Sequence, residues 1–118
     1  MTTLTSKQIG ELSGRELGLA VAVALGWERD DLGWSDVMQH WQTSDYDPIP
    51  YWPKNHDAAI ALCEELGCDI RMRFNAEPDC WWRLRLSDPS WTPTEFVACG
   101  TTIAEAALRA WLKWKTAQ

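Results

Sequence analysis

Two runs of strictly alternating residues constrain this chain more than any other feature. From Asp69 to Phe74, apolar Ile70, Met72 and Phe74 alternate with Arg71 and Arg73. From Trp81 to Leu86, apolar Trp82, Leu84 and Leu86 alternate with Trp81, Arg83 and Arg85. Side chains of a strand point alternately to its two faces, so each run reads as a β-strand with one apolar and one cationic side. Between them Asn75 to Cys80 carries Pro78-Asp79 and reads as a turn. The pair therefore predicts an antiparallel hairpin. If its apolar faces share a core, all four arginines project from the other side.

Helical signals flank this hairpin. Ser13-Gly14-Arg15-Glu16 has capping-box spacing and opens a helix through Leu17, Ala20, Val21, Ala24 and Leu25, ended by Gly26. A second helix begins at Asn55, with Asp57 in its first turn, a stripe of Ala59, Ile60, Cys63 and Leu66, and Gly67 at its close. After the break at Asp88-Pro89-Ser90, Glu95 to Cys99 reads as a third strand. Thr102-Ile103-Ala104-Glu105 then caps a last helix through Ala106, Ala107, Ala110, Trp111 and Trp114, with Arg109, Lys113 and Lys115 toward its C-terminal end. The expected class is α+β: a three-stranded antiparallel sheet, with room for a fourth strand, packed with about three helices in an α/β/α sandwich-like arrangement.

At 118 residues and 46% hydrophobic content the chain suits one ordered domain over 1–118, its core spanning 12–115. No apolar run approaches the ~20 residues of a membrane helix, and the N-terminus lacks the layout of a secretory signal. A cytoplasmic protein that does not act on membranes is the expectation. Cys63, Cys68, Cys80 and Cys99 form no Cys-x-x-Cys pair, and His40 and His56 lie upstream without zinc-finger spacing. The cysteines read as four reduced thiols used as small apolar residues, and no metal or cofactor is expected. The net charge of −6 argues against general DNA binding. That charge is uneven: residues 1–69 hold 12 acids and 4 bases, residues 70–118 hold 5 acids and 7 bases. One basic face on a dipolar molecule follows.

The order of motifs resembles the phage ABA sandwich domain family, small proteins carried by bacteriophages and prophages. The carrying features are Ser13-Gly-Arg-Glu-Leu17, Leu25-Gly-Trp27, and Tyr51 ahead of Asn55-x-Asp57-Ala-Ala-Ile-Ala-Leu62. Trp82-Arg-Leu-Arg-Leu86 with the helix Thr102-x-Ala-Glu-Ala-Ala-Leu-Arg-Ala110 completes the pattern, over roughly residues 12–112. The resemblance implies a phage or prophage origin and the sandwich fold. It implies no enzymatic role.

Two surfaces are candidates for function. Arg71, Arg73, Arg83 and Arg85 could hold a small anionic ligand through paired hydrogen bonds, with Trp81 on the same side to stack a base. Alternatively that face meets helical acids such as Glu64 and Glu65, or stays hydrated. The second surface is segment 27–53, too long for an ordinary structureless loop. It carries Trp34, Trp41, Tyr46, Tyr51 and Trp52 beside Glu28, Asp30, Asp31, Asp36, Asp45 and Asp47, and Ser35 to Gln42 has the makings of a short helix. Its aromatics either dock a host protein or pin the segment onto its own domain. Its acids lack the order of a Ca²⁺ loop, leaving mimicry of nucleic-acid charge or plain solvation.

No nucleophile, base and orienting partner come together, so no catalytic residue is assigned and the chain is not read as an enzyme. The leading expectation is an accessory protein that binds a host protein. An anion-sequestering protein is the alternative, and a structural or assembly role in a virion the second. Hairpin edges and exposed tryptophans also favour a homo-oligomer.

Overall fold

The computed structural model describes residues 5–78, 80–88 and 95–116, apart from the side chains of Ser6 and Ala76. The turn residue Asp79 and the break residues Pro89 and Ser90 lie outside them. Helices α1 (Ser6–Glu11) and α2 (Gly14–Ala24) lead into a 3-10 turn at Arg29–Asp31 and strands β1 (Leu32–Ser35) and β2 (His40–Thr43). A 3-10 turn at Trp52–Lys54 precedes α3 (His56–Glu64). Strands β3 (Asp69–Glu77), β4 (Cys80–Ser87) and β5 (Glu95–Gly100) follow, then α4 (Ile103–Thr116). The class is α+β, with a three-stranded antiparallel sheet ordered β3-β4-β5 and a separate two-stranded hairpin, β1-β2.

Helix α4 organises the core. Ala104, Ala106, Ala107, Leu108, Ala110, Trp111, Leu112 and Trp114 are all buried, so it is covered on most of its circumference. One side lies on β4 and β5, and others receive α1, α2, α3 and the 3-10 turn at Trp52–Lys54. Its alanines permit that close approach. Gly100 does the same at the strand-to-helix corner, where a Cβ would stand 2.5 Å from the Ala106 amide nitrogen. Inward-facing Leu84, Leu86 and Ala98 complete the apolar layer with Leu17, Val21, Ala59, Leu62 and Cys63.

The cations of α4 serve the fold beyond the helix dipole. Arg109 donates from Nε and Nη2 to the Leu12 carbonyl at 3.1 and 2.8 Å, and from Nη1 to the Cys99 carbonyl at 2.7 Å. Its guanidinium also lies 2.9 Å from the Glu105 carboxylate. Lys113 Nζ donates to the Val97 carbonyl at 2.8 Å, and burial, followed by the charge of Arg109, lowers its pKa. Two β5 carbonyls are thus satisfied from α4, which blunts that edge of the sheet. Among the described residues the β3 edge has no neighbouring strand.

Five expectations are corrected. A further helix, α1, precedes the first one foreseen; its Thr5 Oγ1 accepts from the Gln8 amide while the Gln8 side chain accepts from the Thr5 amide. Ser13 makes no side-chain cap, because Gly14 takes φ +54 and turns the chain away from helical geometry at that position. Ser35 to Gln42 is no helix: β1 and β2 pair with Trp34 opposite Trp41, and the Ser35 hydroxyl accepts from the Met38 amide within the turn. β3 continues to Glu77 through a register shift after Phe74, so the turn is tighter than Asn75 to Cys80. The four cysteines are not all thiols: Cys80 and Cys99 form a disulfide, while Cys63 and Cys68 are free. The Cα atoms of Cys80 and Cys99 lie 5.0 Å apart, and the reading of a reducing compartment loses the support it drew from them.

Candidate functional site

The β3-β4 register places Arg71 opposite Arg85 and Arg73 opposite Arg83. Opposed residues stand about 5 Å apart and alternate residues about 7 Å apart along a strand, so the four Cα atoms form a small quadrilateral. They lie on the sheet face turned away from α4, since the intervening Leu84 and Leu86 are buried beneath that helix. An open recess of about 340 Å³ is lined by Arg71, Met72, Arg73, Arg83 and Arg85. Its volume is near the lower end of small-ligand sites.

Among the described residues this charge is compensated only at Arg85. Arg85 Nε lies 3.7 Å from the Glu95 carboxylate, an exposed pair. Among the described residues Arg71, Arg73 and Arg83 have no ion-pair or hydrogen-bond partner on their side chains. Glu64 and Glu65 stay exposed around the end of α3 and do not reach the sheet. Like charges directly opposed on a sheet repel.

At the turn end of the hairpin lies an aromatic step. The Phe74 and Trp81 rings stack with centroids 5.8 Å apart and planes at 19°, and Phe74 also meets Trp82 edge-on at 5.4 Å. Phe74 is 56% exposed and Trp81 43%. Alternation assigns Met72 and Phe74 to the core side with Ile70, yet both are open, because the helices cover β4 and β5 and reach β3 only near Ile70. The molecule is elongated, 43 × 30 × 24 Å.

The aromatic residues of segment 27–53 are largely engaged with the rest of the chain. Trp52 is buried and meets Trp27 edge-on at 6.3 Å. Trp34 packs against both Trp41 and Tyr51, each at 5.5 Å, under the Arg15 guanidinium at 5.6 Å. Trp41 Nε1 donates to the Arg15 carbonyl at 2.8 Å. Tyr51 and Pro53 lie 3.6 Å from where a Cβ on Gly18 of α2 would be, and burial raises the Tyr51 pKa. Tyr46 stands apart, 79% exposed and at φ +65, and Val37 and Met38 in the β1-β2 turn are exposed as well.

Other reactive groups are dispersed. Burial pushes the Cys63 thiol up to about 12, with smaller contributions from Cys68 and Glu64, and its Sγ donates to the Ala107 carbonyl at 3.6 Å. His56 begins α3, and a His40 ring nitrogen lies 3.1 Å from the Trp41 carbonyl. Among the described residues no three His, Cys, Asp or Glu side chains are grouped to hold a metal, and no helix is long and apolar enough to cross a membrane. No family model, curated protein or solved structure matches this chain.

Proposed function

We propose that this chain is a non-enzymatic binding protein whose ligand is a small polyvalent anion held by Arg71, Arg73, Arg83 and Arg85. The supporting observation is the convergence of four guanidiniums on one recess, three of them without a partner among the described residues. Folding gains nothing from that repulsion, whereas a bound anion removes it and takes up the vacant donors. Sequestering such a ligand also suits the phage or prophage setting that the family resemblance implies. The test is calorimetric titration with inorganic tripolyphosphate. Binding should weaken with added salt and fall at least tenfold in R73Q/R83Q, since each lost charged hydrogen bond is worth about 1.5–3 kcal/mol. Equal binding by that variant would refute the reading.

A second reading, docking of a host protein by segment 27–53, draws on the exposed Val37, Met38 and Tyr46. Trp34, Trp41 and Trp52 support it less, because their rings pack within the chain. In this reading V37S/Y46S abolishes capture of the partner and leaves the fold intact.

A further inference from the structure

We infer that the anion on the arginine face is a nucleotide, its phosphates among the arginines and its base on the Phe74–Trp81 step. The inference rests on the anion-binding reading and adds the ligand class. Three observations carry it. First, Trp81 shares the arginine side by alternation and lies two residues from Arg83, about 7 Å along β4. A nucleoside sugar spans a separation of that order between base and phosphate. Second, the ring of Phe74, which stands in register opposite Trp82 on the other side of the sheet, reaches Trp81 and stacks nearly parallel to it, at 19°, and both rings stay largely open. An exposed aromatic pair costs solubility and yields no buried core, whereas a base stacked on it removes apolar surface from water. Third, the arginines are concentrated in one quadrilateral rather than strung along a track, and the chain carries −6 overall. A single nucleotide fits that charge pattern better than a polynucleotide backbone, which the acidic remainder of the chain repels.

Stacking and charge separate in one comparison. Titration without divalent cations would measure ATP, inorganic tripolyphosphate and a short single-stranded oligonucleotide against the wild type, W81L and F74L. The expected result is ATP binding about tenfold tighter than tripolyphosphate, as one stacked base contributes. W81L should lose that preference while keeping its affinity for tripolyphosphate, and F74L should reduce it. The exposure of both rings lets the variants fold, which circular dichroism checks. Equal affinity of the wild type for ATP and tripolyphosphate overturns the nucleotide inference and leaves the anion-binding reading standing. So does an unchanged preference in W81L. Tighter binding of the oligonucleotide than of ATP replaces the nucleotide by a nucleic-acid chain. Failure of all three probes to bind overturns the anion-binding reading itself, and the inference with it.

Discussion

Neutralising part of the arginine face should make the unliganded protein more stable, because that face opposes folding. In R71Q/R73Q, Arg71 no longer faces Arg85 and Arg73 no longer faces Arg83. Directly opposed like charges cost a few tenths to about 1 kcal/mol per pair at low ionic strength. Both pairs together come to about 1 kcal/mol. Unfolding entropy for a chain of 118 residues is about 250 cal/mol/K, so Tm should rise by about 4 °C. The two single variants should differ. Glu95 at 3.7 Å already offsets part of the charge on Arg85, whereas Arg83 has no such neighbour among the described residues, so R73Q should gain more than R71Q. The assay is thermal unfolding by near-ultraviolet circular dichroism in NaCl at about 0.01 M and about 1 M, where the screening length falls from about 30 to about 3 Å. The variant's advantage should be present at low salt and nearly vanish at high salt. A lower Tm for R71Q/R73Q, or a salt-independent difference, would refute the reasoning and mean that these guanidiniums stabilise the fold.

Three further outcomes are expected. R109M removes the charged donor from the Leu12 and Cys99 carbonyls and leaves Glu105 without its partner, so urea unfolding should show a loss of about 3 kcal/mol; a loss below about 1 kcal/mol would mean water replaces the guanidinium. C80S/C99S opens a bridge closing a separation of 19 residues, for which unfolded-chain entropy predicts a cost of about 3 kcal/mol, and reductant on the wild type should give the same shift in midpoint. The Cys63 thiol titrates at about 12 when folded against an ordinary value of 9.0, so its proton is retained by the folded chain and lost first by the unfolded one. Its contribution to stability is therefore whole below about pH 9 and declines as pH rises toward about 12. At about pH 10 the wild type should lose about 1 kcal/mol more than C63A, measured by urea midpoints.

Much of the sheet was legible in sequence because alternation is a local signal. The registers Arg71 with Arg85 and Arg73 with Arg83 follow from placing Leu84 and Leu86 inward, and the structure has that arrangement. Asn55 caps α3 by accepting from the Ala58 amide at 3.0 Å, and Trp111 and Trp114 are buried as their spacing in α4 indicates. Capping boxes were less faithful. The same four-residue spacing occurs at Thr5, Ser13 and Thr102, yet only the Thr5 box is fully reciprocal. At Thr102 the hydroxyl accepts from the Glu105 amide, while the Glu105 carboxylate turns to Arg109 and the Thr101 amide. Ser35 carries a helix-start signal that serves a turn, since its hydroxyl satisfies an amide three residues on in either conformation. Strands of four residues, such as β1 and β2, are too short for periodicity to compete with that signal.

Sequence by itself determined which residues share a face, since the strand period of two and the helix period of 3.6 are written in neighbouring positions. It determined the arginine face, the apolar character of α4 and the α+β class. Tertiary structure alone decided which faces are covered. Met72 and Phe74 carry the same inward pattern as Ile70, but the helices end their cover before reaching them, and the ring of Phe74 joins Trp81 instead. Tertiary structure also decided that Cys80 meets Cys99, that Arg109 binds the carbonyls of Leu12 and Cys99, and that Trp34 and Trp41 close on Arg15. Those contacts join positions far apart in sequence. Their geometry depends on strand register and helix length together, and no local pattern encodes both.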